Sequence, residues 1–204
     1  MAHWRKNQGS DPYFQQAKKD GYRARSAYKL LQIQKKFHII RKTDTVVDLG
    51  AAPGSWSQVL TQLVGSEGQI IALDLQHIEP IKGVTVLQGD MTEPAVQNQL
   101  AELTRERCHV VLSDAAPSTT GIKLRDHVIS IELARAAFQV ATHILVPGGH
   151  MVVKVFQGED LPSLIHDVKM CFHPVKVYTP PATRNESWEA FIVAQKYKGP
   201  TCLG

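Results

Sequence analysis

The chain has 204 residues, 43% of them hydrophobic, a size and apolar content that suit one domain around one sizeable core. No stretch reaches the ~18 consecutive apolar residues of a membrane span, and the polar start Met1-Ala2-His3-Trp4-Arg5-Lys6 lacks the apolar segment of a secretory signal, so a cytoplasmic location is expected. Cys108, Cys171 and Cys202 form an odd count without metal-ligand spacing, which argues against a disulfide framework or zinc site and for reduced thiols.

The net charge of +4 and the pI near 9.0 hide an asymmetry. Residues 1–42 hold eleven Lys/Arg against Asp11 and Asp20, a balance of +9, so the remainder carries −5. Tyr13, Phe14, Tyr22 and Tyr28 are interleaved with these cations. The plain alternative for such a basic run is a solvated helix face, but the interleaved aromatic rings favour a nucleic-acid partner, with Lys18, Lys19, Arg23 and Arg25 as the candidate RNA contacts. This segment reads as helices placed before the main fold, with Ala27, Leu30, Leu31 and Phe37 facing inward.

From Thr45 onward, β-rich apolar runs alternate with helical patterns, as in a parallel sheet with helices on both faces. Seven strands are expected, over 45–49, 69–74, 84–88, 109–114, 150–156, 175–179 and 190–195. Apolar stripes mark intervening helices, one through Ile131, Ala134, Phe138, Ala141 and Leu145, another through Leu161, Leu164, Ile165, Val168 and Phe172. Pro147-Gly148-Gly149 and Thr179-Pro180-Pro181 read as loops. The expected organisation is a basic helical RNA-binding extension over 1–42, an α/β catalytic core over 43–196 and a tail over 197–204, all in one domain.

The first strand ends in Asp48-Leu49-Gly50-Ala51-Ala52-Pro53-Gly54-Ser55-Trp56, a small-residue turn where doubly wound folds bind nucleotide-like ligands. Its Gly50 and Gly54 are spaced Gly-x-x-x-Gly, unlike the dinucleotide fingerprint, which speaks against a nicotinamide cofactor. Asp74, closing the second strand, is placed to accept from ribose hydroxyls, and Asp90, after the third, from an adenine amine. Either Asp alone would more commonly be a turn residue or helix N-cap. Together with the glycine turn, they converge on one crevice. The turn holds no Lys or Arg to meet a phosphate, so a nucleoside with an amino-acid tail fits better than a nucleotide, which points to S-adenosyl-L-methionine.

Two later strands carry polar residues at costly places. Asp114 ends the fourth strand, and Lys154 lies inside Met151-Val152-Val153-Lys154-Val155-Phe156. An ammonium in a strand buried on both faces is expensive unless it is paired or used; the plain alternative is a lysine that snorkels to solvent. Asp114 is its obvious partner, because adjacent parallel strands bring both to the same carboxyl edge.

Five motifs carry a resemblance that runs from about Asp11 to Ala194. They are Arg25-Ser26-Ala27-Tyr28-Lys29-Leu30, Asp48-Leu49-Gly50-Ala51-Ala52-Pro53-Gly54-Ser55-Trp56-Ser57-Gln58, Ser113-Asp114, Val153-Lys154-Val155-Phe156-Gln157-Gly158 and Glu189-Ala190-Phe191-Ile192-Val193-Ala194. In this order the chain resembles the FtsJ-type (RrmJ-like) ribose 2′-O-methyltransferases. The resemblance implies a Rossmann-like methyltransferase fold, a catalytic tetrad of Lys29, Asp114, Lys154 and Glu189, and cofactor contacts at Gly54, Trp56, Asp74, Asp90 and Asp114. Ser55 and Trp188 depart from the commonest family pattern, which has a second glycine and often an arginine there.

The chemistry then expected is methyl transfer to a ribose 2′-hydroxyl, with Lys154 either accepting the hydroxyl proton or stabilising the forming alkoxide. No metal is required by this scheme. A uridine of large-subunit ribosomal RNA, free or in a ribosomal subunit, is the favoured substrate, and a monomer is expected. A transfer RNA is the alternative, because residues 20–33 are also similar to the tRNA-modifying relatives. Outside methyl transfer, the rivals are an NAD-dependent oxidoreductase, which lacks its fingerprint here, and a non-catalytic RNA-binding module, which would break the tetrad.

Overall fold

The computed structural model describes residues 11–117, 120–184 and 186–200. Helix α1 (Pro12–Lys19) starts where Asp11 caps it: the carboxylate accepts from the Tyr13 and Phe14 amides at 3.1 and 3.2 Å, and Pro12 fills the first turn, where no N–H is needed. Helix α2 (Ala27–Phe37) buries Ala27, Leu30 and Ile33. Leu31 and Phe37 also pack against this core while part-buried, and Ile33, which the sequence pattern left out, completes the i, i+3, i+6 stripe at its centre.

The sheet comprises β1 (Thr45–Leu49), β2 (Gln69–Asp74), β3 (Thr85–Gln88), β4 (Cys108–Ser113), β5 (Leu145–Phe156), β6 (Val175–Tyr178) and β7 (Glu189–Ala194). Between them run α3 (Ser55–Val64), α4 (Pro94–Thr104), α5 (Lys123–Ile144) and α6 (Leu161–Cys171). The strand order is β3-β2-β1-β4-β5-β7-β6, parallel except for β7, which is antiparallel to both β5 and β6. The chain moves outward one way from β1 through β2 to β3 and the other way from β4, so the strand order reverses between β1 and β4. The carboxyl ends of these two strands open a crevice there.

One core lies under α4, α5 and α6 and includes Val153, Val155, Ala190 and Ile192; the other lies under α2 and α3 and includes Val152, Phe191 and Val193. Strict alternation along β5 therefore turns Lys154 toward α2 and α3.

The expected α/β sheet is present, with corrections at particular residues. β5 begins at Leu145, not at 150: the pairing with β4 jumps from Cys108–Leu145 to Val110–His150, and the Pro147-Gly148-Gly149 stretch lies within the strand as its irregular part. The Gly148 amide donates to the Tyr197 carbonyl at 2.8 Å and the Tyr197 amide to Gly149 at 2.9 Å, so tertiary pairing holds what local turn chemistry marked as a loop. Leu145, assigned to the helical stripe, is thus a strand residue, and Phe172 sits just past α6, though both are buried. The boundary expected at 196 falls inside packed structure, because Tyr197 is buried and its hydroxyl donates to Thr142 O at 2.9 Å.

Cys108 is a buried free thiol, pushed up to about 12 by that burial. Cys171 departs from the expectation of reduced thiols, since it is disulfide-bonded. Cys202 lies outside the described residues. Among the described residues, no helix is long and apolar enough to cross a membrane.

Candidate active site

The turn after β1 keeps its shape through glycines whose missing side chains make room for the protein itself. At Gly50, with φ +69, a Cβ would lie 2.6 Å from the Ala115 Cβ and 2.7 Å from its Cα; at Gly54, with φ +103, it would lie 2.7 Å from Ile81 and 2.9 Å from the Arg23 guanidinium. Both positions need the left-handed backbone that glycine adopts without strain. The turn is also tied sideways: the Asp74 carboxylate accepts from the Ala52 amide at 2.9 Å and from the Gln76 amide at 2.7 Å. Asp90 accepts from the Thr92 amide at 2.8 Å and hydroxyl at 2.7 Å, and the neighbouring Gly89 amide donates to Asp74 O at 3.0 Å. The carboxylates expected to face the nucleoside thus also build their own loops. A carboxylate has about four acceptor directions, so both retain capacity for further donors.

Beneath the turn lies a residue the sequence reading passed over. Asp48 is fully buried within β1; its Oδ2 accepts from the Ser57 hydroxyl at 2.7 Å, while its buried Oδ1 has no partner. Burial, with the Asp114 and Asp74 carboxylates adding to it, pushes Asp48 up to about 7 from its usual 3.8 against the opposing Ser57 bond. The signal was legible, since an acid inside the apolar run Thr45-Val46-Val47-Asp48-Leu49 is as costly as Lys154 in β5.

The shift predicts a pH dependence. A raised carboxyl value means that the fold favours the protonated form, so its contribution is full below 3.8 and is lost as pH rises through about 7. The loss amounts to on the order of 4 kcal/mol if fully expressed. Asp48→Asn should remove most of the fall in the thermal midpoint of the ligand-free protein over that range. Equal pH slopes for the two proteins would refute the assignment.

Asp48 lines a recess of about 10 Å³ with Ser26, Gly50, Ala51, Ala52, Ser55, Trp56 and Asp114. That space is about one water in size, too small to enclose a nucleoside. Trp56, expected at the cofactor, is only 2% exposed: its indole N–H donates to Ser26 O at 2.8 Å and its ring meets Phe191 at 5.7 Å, so it pins α3 to the start of α2. Ser55, where a glycine is commoner, is bonded to the Ser26 hydroxyl at 2.8 Å.

The four tetrad positions converge as two ion pairs. Lys154 Nζ lies 3.0 Å from Asp114 Oδ1 and also donates to the Asp114 main-chain carbonyl, and the lysine is only 7% exposed. Across the β5–β7 pairing, Phe191 stands opposite Lys154 and Glu189 opposite Phe156, which sets Glu189 diagonally beside the lysine on the same face. Lys29, from α2, pairs with Glu189 Oε1 and hangs 5.9 Å from the centre of the Phe191 ring. Thr183 also donates to Glu189 Oε1, at 3.2 Å. Trp188, in place of the commoner arginine, stacks on Phe156 at 4.8 Å, while the Gln157 amide donates to the Trp188 carbonyl at 3.0 Å; together these hold the start of β7.

A cleft of about 450 Å³, lined by Arg25, Lys29, Ala182, Arg184, Ser187 and Glu189 among others, opens beside these pairs. Arg184, which the sequence reading did not single out, is half exposed there, 3.5 Å from the buried Asp11 carboxylate. The four expected RNA contacts divide. Lys18 and Lys19 lie exposed in the last turn of α1. Arg25 is engaged with Asp11 and the Ala182 carbonyl, and Arg23 with main-chain carbonyls at 2.8 to 3.1 Å.

Residues 22–197 match the family model described as FtsJ-like methyltransferase. The chain is 49% identical over 186 residues to the ribosomal RNA large subunit methyltransferase E of Methanothrix thermoacetophila, covering 91% of this chain and 72% of the relative. It is 42% identical over 197 residues to the protein of the same name from Pseudomonas fluorescens, covering 96% and 94%. A crystal structure of a Plasmodium falciparum protein described as a ribosomal RNA methyltransferase superposes with a TM-score of 0.78 at 29% identity, covering 87% of this chain and all of that one.

The site fits S-adenosylmethionine in its donor set: carboxylates at the ends of β2 and β3, a glycine turn whose own residues include no Lys or Arg, and the unpartnered Asp48 oxygen beneath it. The chain belongs to the FtsJ-like methyltransferase family and is an S-adenosylmethionine-dependent methyltransferase.

Proposed function

We propose that the chain methylates the ribose 2′-hydroxyl of a uridine in large-subunit ribosomal RNA. The observation that carries the reading is the pairing of Lys154 with Asp114 beside Lys29 with Glu189, the second pair lining a cleft that Arg25 and Arg184 also line. The names of the relatives support the substrate class.

A ribose hydroxyl is a poor nucleophile at neutral pH, and the chain supplies what it lacks. S-adenosylmethionine, when bound, supplies an electrophilic methyl on a sulfonium. Asp114 takes two donations from Lys154 Nζ, through Oδ1 and the main-chain oxygen, which fixes the amine in place. Nζ then has one direction left for the incoming hydroxyl: as a neutral amine it offers there the lone pair that takes the hydroxyl proton, and as an ammonium it donates its third N–H to the oxygen as the methyl transfers. Lys29 and Glu189 hold each other at the cleft side and orient the ribose. Fixing the acceptor oxygen in line supplies much of the acceleration. Asp74 and Asp90 hold the nucleoside, and Lys18 and Lys19 meet the RNA backbone as exposed cations.

The test offers the purified protein labelled S-adenosylmethionine with large-subunit ribosomal RNA, intact subunits and bulk transfer RNA in parallel. Label entering large-subunit RNA at a single site is the expected result. Label entering transfer RNA alone would move the assignment to the tRNA-modifying relatives.

A further inference from the structure

The charge of Arg23 points to RNA, yet the residue is part-buried and its guanidinium is engaged with main-chain carbonyls of the protein itself. Nη1 donates to Pro53 O at 2.9 Å and to Glu79 O at 2.8 Å, and Nη2 donates to Pro80 O at 3.1 Å. Pro53 lies in the turn after β1, and residues 79–80 lie in the loop that follows Asp74 and β2. The Arg23 amide donates to the Gln58 side chain at 2.8 Å, and Gln58 returns a bond to Gly21 O at 3.0 Å, so α3 grips the segment that carries the arginine. Four residues on, that segment becomes α2, which carries Lys29.

We propose that Arg23 is a positioning residue that locks the cofactor turn to the loop after β2 and to the lead-in of α2, so that nucleoside and tetrad hold one register. The proposal rests on the assignment of this crevice to S-adenosylmethionine. Gly54 carries an independent sign of the same contact. A Cβ there would meet Arg23 Nη1 at 2.9 Å and Ile81 Cδ1 at 2.7 Å, so the second glycine leaves room for the clamp rather than for a ligand. A planar guanidinium suits the task because its fork serves several carbonyls at once, whereas an ammonium serves them only as a point donor. The exposed lysines of α1 remain to meet phosphates.

A positioning role and a phosphate contact make opposite predictions for Arg23→Ala. Loss of the clamp should weaken S-adenosylhomocysteine binding, read by calorimetry without RNA, by about tenfold, since bonds from a charged donor are lost and water replaces only some of them. RNA affinity and its salt slope should stay near wild type. Loss of a phosphate contact would instead leave the ligand affinity unchanged and flatten the salt slope by about one. That outcome would overturn the proposal.

Two further readings separate positioning from general damage. Millimolar guanidinium ion should restore part of the ligand affinity of Arg23→Ala, and Arg23→Lys should fall between the two proteins. Gln58→Ala, which loosens the segment from the other side, should weaken ligand binding in the same direction and serves if Arg23→Ala does not fold. Unchanged ligand affinity in both Gln58→Ala and Arg23→Lys would also count against the clamp. Wild-type protein that fails to bind S-adenosylhomocysteine would sink the cofactor assignment instead, so the two failures are distinguishable.

Discussion

Replacing Lys154 by alanine should lower the single-turnover rate by about a thousandfold or more while leaving S-adenosylhomocysteine affinity within about threefold. The asymmetry follows from what Nζ touches. Its bonds go to Asp114 and to none of the groups of the turn, so the turn, Asp74 and Asp90 keep their partners when it is removed. Asp114 loses its cation, but at 17% side-chain exposure it can recover water, which limits the cost to stability. Lys154→Arg should rescue little, because a planar fork does not place one N–H where the compact ammonium does. Rates of Lys154→Ala within tenfold of wild type would remove the lysine from the chemistry. Removing Lys29 or Glu189 in addition should cost far less than the first change, since groups that act as a unit are not additive.

The second large effect is expected at Gly50. Alanine there must adopt φ near +69 and place its Cβ 2.6 Å from the Ala115 Cβ and 2.7 Å from the Ala115 Cα, both far inside contact distance. Since Ala115 directly follows Asp114, relief of the clash must move either the cofactor turn or the Asp114 loop. Strain and overpacking together should cost on the order of 2–4 kcal/mol of stability. Ligand affinity should fall by about a hundredfold as the turn and its carboxylates separate. Gly54→Ala should be milder, because its near neighbours, Ile81 Cδ1 and Arg23 Nη1, are side-chain ends that can shift. A Gly50→Ala protein with wild-type melting and ligand affinity would show that the turn tolerates a side chain and would contradict the packing argument.

How much of this was readable beforehand depended on the range of the interaction. The strands announced themselves through short-range apolar runs, and Lys154 stood out because a lone cation in such a run has few affordable fates. Asp114 followed from adjacency in a parallel sheet. The Lys29–Glu189 pair joins residues 160 positions apart, and no local pattern connects them, so only the family resemblance brought them together. The contacts of Arg23 were hidden for a related reason: charge is visible in a sequence, but the carbonyls that accept its hydrogen bonds lie 30, 56 and 57 residues away. The Pro147-Gly148-Gly149 stretch has local turn chemistry, and only its distant pairing with Tyr197 keeps it in β5. Asp48 was legible by the reasoning that found Lys154, but its place beside the glycine turn drew attention to the turn.

The most direct test of the central claim is to digest RNA methylated by the purified protein to nucleosides and identify the labelled one by mass spectrometry. The predicted product is 2′-O-methyluridine, absent when Lys154→Ala replaces wild type. Label on a base, or 2′-O-methyluridine formed undiminished by Lys154→Ala, would contradict the assignment of this site to ribose methylation.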